Sequence, residues 1–358
     1  MRLFDRTIGI DYSGAETPTS GLKGLRVYTS EAGGAPVEAL PSLSMRKYWT
    51  RRGIAEWLAD ELAKPVKTLV GIDHGFSFPM RYFEKHRIKP DWETFLHDFR
   101  AHWPTHENNT YVDFVRHGLQ GLGSERWGDA RWRRLCEEVS GSAKSVFHFD
   151  VQGSVAKSTH SGLPWLLHIR EKLGGRVHFW PFEGWQYPPD RSVVVEVYPR
   201  LMSGNYPVAE RTPDQHDAYC VAAWMADQDK EGALAQFFNP PLTLPQRQIA
   251  QIEGWIFGLM KTELPTSRAK SRSSPAREDR PAPKLRPSAE IPDAGFVNGY
   301  GQVVIRRTLL NADAEGARTL AVHCSHCDAV YGASSRAFRK CRCPSCQDGL
   351  EGLPYRLG

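Results

Sequence analysis

Long apolar runs are missing from this sequence. No stretch approaches the ~18 apolar residues that cross a bilayer, and the N-terminal MRLFDRTIGI lacks the apolar core of a secretory signal. These absences predict a cytoplasmic protein with no membrane association. Cysteine is sparse over most of the chain: Cys136 and Cys220 stand alone in regular-looking segments, while the other five lie between residues 324 and 346. That distribution argues against a disulfide framework, and in a reducing compartment the cluster points to metal. Internal repeats are absent apart from an echo of Gly-Ile-Asp at residues 9–11 and 71–73. The formal net charge of +5 allows an acidic partner without requiring one. At 358 residues and 41% hydrophobic, the chain can bury a sizeable core and form more than one domain.

The apolar pattern orders what is present. Residues 7–11 and 24–30 read as strands, and IAEWLADELA as a helix with Ile54, Trp57, Leu58 and Leu62 on one face. TLVGIDHGF is a second buried strand. Residues 81–147, rich in Trp and His, read as an insertion carrying the helix WETFLHDFRAHW. GLPWLLHIREKLGG then reads as a helix, RVHFWPF and RSVVVEVYP as strands, and TPDQHDAYCVAAWMAD as a helix with Thr212 as cap, Pro213 in the first turn and Gln215 completing a capping box. QRQIAQIEGWIFGLM is the last helix of a domain spanning 1–262. Residues 263–293, rich in Pro, Ser and Arg, read as a flexible linker, and 294–358 as a small module. The order of elements predicts an α/β layer with a mixed sheet.

Carboxylates end or line the apolar elements. Side chains alternate along a strand, so Gly9 shares a face with Asp11, and Gly71 with Asp73, glycine leaving open space beside each acid. Glu196 closes SVVVE, and Asp214 and Asp217 lie one helical turn apart. If these elements are neighbours the acids converge, and several carboxylates stay ionised together only with cations among them. Hard oxygen ligands suit Mg²⁺ or Mn²⁺, with Asp11, Asp73 and Asp217 as ligands; two such ions about 4 Å apart support phosphodiester hydrolysis. Singly, each acid has a plainer role: Asp11 and Asp73 as turn caps, Asp214 complementing the helix dipole, Glu196 paired with Arg200.

IGIDYSGA, LVGIDHGFSFP, VHFWPFEGW, VVVEVYPR and DQHDAYCVAAWMA, in this order, resemble the domain-of-unknown-function family 429, described as predicted nucleases with an RNase H-like fold. The resemblance spans nearly all of 1–262 and implies a five-stranded mixed sheet flanked by helices, with the acidic site at the ends of central strands. Asp11, Asp73 and the Asp214/Asp217 pair resemble the acidic pattern of Holliday-junction resolvases; Glu196 has no firm counterpart there.

Other residues are candidates for supporting roles. Lys157, His160, His74 and His216 are read as aids to proton or phosphate transfer, or as satisfied loop residues. Arg131, Arg133 and Arg134, with the aromatics near them, suit phosphates and bases, or a core and its rim. In the C-terminal module, CSHC and CPSC form two C-x-x-C knuckles fifteen residues apart, offering Cys324, Cys327, Cys343 and Cys346 to a structural Zn²⁺ in a zinc-ribbon-like fold. Cys341 competes with Cys343, and His323 or His326 also competes. Arg336, Arg339, Lys340 and Arg342 form a basic face for a phosphate backbone or for solvent, and such ribbons also bind proteins.

Taken together, the residues predict a metal-dependent nuclease acting on DNA or RNA, with the zinc module holding substrate or a protein partner. Two other classes stay open: a non-catalytic nucleic-acid or protein-binding scaffold, and a phosphotransferase of the actin and sugar-kinase type, for which DYSGAETPTSG offers a weak phosphate loop.

Overall fold

The computed structural model describes residues 2–41, 47–151, 153–261, 296–312, 317–325, 327, 329–347, 349 and 353. The expected linker at 263–293 lies outside the described residues. The chain divides into two compact units, Met1–Lys270 and Ser271–Gly358. In the first, β1 (Arg6–Asp11), β2 (Arg26–Glu31), β3 (Val37–Glu38), α1 (Arg51–Ala63) and β4 (Thr68–Asp73) are followed by α2 (Met80–His86), α3 (Trp92–His102), α4 (Val112–Arg116) and α5 (Leu135–Ser140). Then come α6 (Ala156–Leu173), β5 (Val177–Phe179), β6 (Ser192–Glu196), α7 (Pro213–Lys230) and α8 (Leu244–Glu253).

The strands make one mixed sheet in the order β3-β2-β1-β4-β6-β5, with β1, β4, β6 and β5 mutually parallel and β2 antiparallel to both its neighbours, β1 and β3. It has six strands where five were expected. The additional one, β3, is only two residues long and carries no apolar alternation to reveal it.

Alternation along the strands sorts the two faces. Leu69, Val193 and Val195 pack with Val221 and Met225 of α7, while Ile8, Ile10, Val70, Ile72 and Val194 face α1 and α6. Thr7 Oγ1 donates to the Ala222 carbonyl of α7 at 2.8 Å. The glycines do not leave the open space the sequence suggested; α7 fills it. A Cβ on Gly9 would lie 2.2 Å from the Ala218 carbonyl oxygen, and one on Gly71 would lie 2.7 Å from Val221 Cγ1. Glycine here is what lets the helix backbone lie directly on the sheet.

The segment 81–147, read from sequence as an insertion, is core on the other face. Phe78 sits 5.0 Å from Phe95, 5.5 Å from Phe99 and 4.6 Å from Phe147, ring centre to ring centre. All four rings are buried. The α6 helix begins at Ala156, earlier than its apolar period suggested, and α8 stops at Glu253 rather than running on through WIFGLM. No helix among the described residues is long and apolar enough to cross a membrane.

The second unit pairs β7 (Gln302–Asn311), β8 (Arg318–Cys324) and β9 (Val330–Ser334) in an antiparallel sheet. Its small core of Val304, Leu320, Val322, Tyr331 and Phe338 lies against Cys324 and Cys343.

Candidate functional site

The pairing of β1 with β4 sets Asp11 directly beside Asp73 at the C-terminal ends of adjacent parallel strands. Both follow glycines that face α7, so both acids point to the α7 side. Thr212 caps α7, its side chain accepting the Gln215 N–H while Gln215 reaches back to the Thr212 N–H at 3.0 Å. This capping box fixes the first turns, from which Asp214 and Asp217 meet the strand ends. Burial raises the Asp11 carboxyl well above the usual carboxylate range, and Asp73, Asp214 and Asp217 push it further. Asp73 is pushed up to about 8 by burial, then by Asp217 and Glu196. Asp217 is raised by burial and by Asp214, against the opposing pull of His216. The four aspartates therefore share one electrostatic neighbourhood. They are spread wider than the ligand sphere of a single ion: among the described residues, the four clustered cysteines are the group of three or more His, Cys, Asp or Glu whose ligand atoms all lie within 4.8 Å of one another.

Glu196 does not join the aspartates as a free ligand. Its register partner on β4 is Ile72, one residue from Asp73 and thus on the opposite face. There Arg134 takes both carboxylate oxygens, at 2.7 and 2.6 Å, and the Phe76 N–H donates to Oε2 at 3.0 Å. The partner expected from sequence was Arg200. Arg134 also donates to Glu137 at 2.8 Å, and a third buried acid, Glu253, accepts the backbone N–H groups of Met80 and Leu135, each at 2.6 Å. Burial pushes Glu253 up to about 7. The chain separations explain why local sequence did not reveal this network: Arg134 and Glu196 are 62 residues apart.

An open cleft of about 530 Å³ lies beside Asp11 and Asp214, with Tyr111, Asp113 and Lys157 among its lining residues. Lys157 Nζ donates to Asp113 at 2.7 Å. Its loop side, residues 13–16, is held by Arg51, a fully buried guanidinium that donates to the carbonyls of Ser13 at 3.2 Å, Glu16 at 2.7 Å and Ala15. Sequence reasoning missed Arg51, which looks like an ordinary helix-start residue.

The other candidates separate clearly. His160, read as a loop residue, is buried in α6 with its ring 4.6 Å from Trp103 and Nδ1 2.9 Å from the Ala156 carbonyl oxygen. Burial lowers it to about 3, so the ring is neutral at pH 7. His74 is edge-on to Tyr12 at 4.7 Å and lowered to about 4 by burial. His216 Nε2 lies 3.3 Å from the Ser203 carbonyl oxygen. Of the three arginines assigned to phosphates, Arg134 is locked to Glu196, and Arg133 donates to the carbonyls of Glu137 and of Ala143, the latter at 2.6 Å. Only Arg131 is exposed, and it pairs with Asp129 at 2.5 Å.

In the second unit, Cys324, Cys327, Cys343 and Cys346 come together. Sγ–Sγ distances of 3.7 Å for Cys324–Cys346 and 3.6 Å for Cys327–Cys343 are far too long for disulfides. They match the separation of about 3.8 Å that tetrahedral Zn–S bonds of ~2.3 Å impose. The cluster is thus compatible with a zinc site. Cys341 stands outside it, 3.9 Å from the Tyr331 hydroxyl, so Cys343 is the clustered residue of that pair. His323 is likewise outside, and His326 lies outside the described residues. Arg339 stacks over Phe296 and Arg342 over Tyr300, each at 5.0 Å.

The chain matches no protein-family model, no curated protein and no solved structure.

Proposed function

We propose that the Met1–Lys270 unit is a divalent-metal-dependent nuclease of RNase H-like architecture that hydrolyses phosphodiester bonds of DNA or RNA. One observation carries this reading: Asp11 and Asp73 stand side by side at parallel strand ends, both raised first by burial and then by neighbouring acids, with Asp217 of α7 acting on each. Such a set suits hard cations, because like charges at close range stay ionised only when neutralised. Asp11, Asp73 and Asp217 would hold Mg²⁺ or Mn²⁺, and bound ions supply water activation and neutralisation of the leaving oxygen. Asp214, on the cleft wall, orients the attacking water. Water adds to phosphorus, the P–O3′ bond breaks, and a 3′-hydroxyl and a 5′-phosphate are left. Arg134 holds Glu196 away from this chemistry as a positioning pair. The cysteine module is read as a zinc-stapled holder of substrate or of a protein partner.

The test is cleavage of single- and double-stranded DNA and RNA in Mg²⁺ and Mn²⁺. The expected result is cleavage by the native chain and its loss, by at least about a hundredfold, in a folded Asp11→Asn variant. Full cleavage by that variant, or none by the native chain with either metal, would overturn the proposal and favour a binding scaffold.

A further inference from the structure

A second opening of about 570 Å³ lies at the N-terminal ends of the parallel strands. Five residue steps of ~3.3 Å along β1 separate that end of the sheet from Asp11 by about 17 Å. Its volume is in the range of small-ligand sites, ~300–1,000 Å³. Lys67, Arg176 and Arg191 line it together with Asp5, Asp190 and Ser192. Among the described residues none of these three cations has a carboxylate oxygen within 4.0 Å, whereas Lys64 on the same rim is 2.6 Å from Glu61.

The opening is built on fixed parts. The Lys67 N–H donates to the Asp5 carboxylate at 3.1 Å, and the Asp5 N–H donates to the Lys67 carbonyl at 2.9 Å. The Lys67 ammonium lies over the rings of Phe4 and Tyr187, at 4.9 and 5.3 Å. Ser192 accepts the Thr68 N–H at 3.0 Å, tying the neighbouring strand to the same rim. The Arg191 guanidinium is 3.9 Å from where a Cβ of Gly175 would stand. Lys67, Arg176 and Arg191 outnumber the two aspartates of the lining, Asp5 and Asp190, which together with Asp229 act on Lys67, so the concavity keeps a net positive charge that favours an anion. Two are guanidinium forks, suited to paired oxyanion oxygens. The opening is larger than a bare phosphate, and Leu62 and Val66 give it an apolar wall for an organic group.

We infer that this opening binds a phosphomonoester, its phosphate held by Lys67, Arg176 and Arg191. The inference is independent of the nuclease reading. A phosphomonoester arrives either on a free nucleotide or at the 5′ end of a nucleic-acid strand. Isothermal titration of the full chain with adenosine 5′-monophosphate, adenosine, and a hexanucleotide with and without a 5′-phosphate separates these sources. The expected result is binding of a phosphorylated probe in preference to its unphosphorylated counterpart, weakened at least about tenfold in R176Q/R191Q. Preference for the hexanucleotide alone assigns the strand end; preference for the nucleotide assigns the free ligand. Either supports the site. No preference for phosphate, or a preference that survives R176Q/R191Q, overturns it. Both arginines lie on the rim, and thermal melts of the double variant confirm that it is folded.

Discussion

The cysteine cluster and the aspartate cluster are two ways of gathering ligands, and they differ in how far apart in the chain the ligands begin. Each cysteine knuckle brings its two sulfurs together within four residues, so a tight turn does most of the work. The aspartates come from two strands and a helix, and only sheet register and α7 packing unite them. The sulfurs already sit at zinc-like separations, whereas the carboxylates are electrostatic neighbours without a common ligand sphere. A soft, closed set suits a structural ion, and on the proposed reading the wider set of hard oxygens leaves room for substrate.

The largest expected effect falls on the cysteine side. Structural zinc contributes about 10–16 kcal/mol of apparent binding energy in small folded modules. Elemental analysis is expected to find zinc, with loss of it and of the β7–β9 amide dispersion in Cys343→Ser, while Cys341→Ser keeps both. Loss in Cys341→Ser and retention in Cys343→Ser would reverse the ligand assignment.

Next in size is the ion pair that holds Glu196 to Arg134, on the face opposite Asp73. Arg134→Met leaves Glu137 and Glu196 buried without their cation, at a cost of about 3–5 kcal/mol in denaturant unfolding. A change below 1 kcal/mol would show that the network is not buried as described.

The aspartates are expected to give a smaller, pH-dependent signal. Asp11, Asp73 and Glu253 are acids with raised native values, so their native state holds protons that the unfolded chain gives up near pH 4. Their contribution to stability is present below that pH and is lost as pH rises through about 7 to 8. Thermal stability in chelator is therefore expected to fall from pH 5 to pH 8. Mn²⁺ is expected to restore it more at pH 8 than at pH 5, and Asp11→Asn to raise the chelator melting temperature at pH 8 by a few degrees. A flat profile with no Mn²⁺ response would break the contrast between the two clusters.

Local signals made much of this legible. The Thr212–Gln215 capping box, the apolar face of α1, the two Gly-Ile-Asp strands and the C-x-x-C spacing each rest on residues within a turn or two, and each appears in the structure. What failed was non-local. Glu196 looked equivalent to Asp73 because both end apolar strands, but one step of register puts it on the other face. Phe95, Phe99 and Phe147 looked like an insertion because nothing nearby in sequence shows them meeting Phe78. The space beside Gly9 looked open because the sequence does not reveal how closely a helix backbone passes.

The most direct test of the central claim is anomalous diffraction from crystals soaked in Mn²⁺ near pH 8. Anomalous density is expected between the carboxylates of Asp11, Asp73 and Asp217; clear maps without a manganese peak there would contradict a metal site at the aspartates.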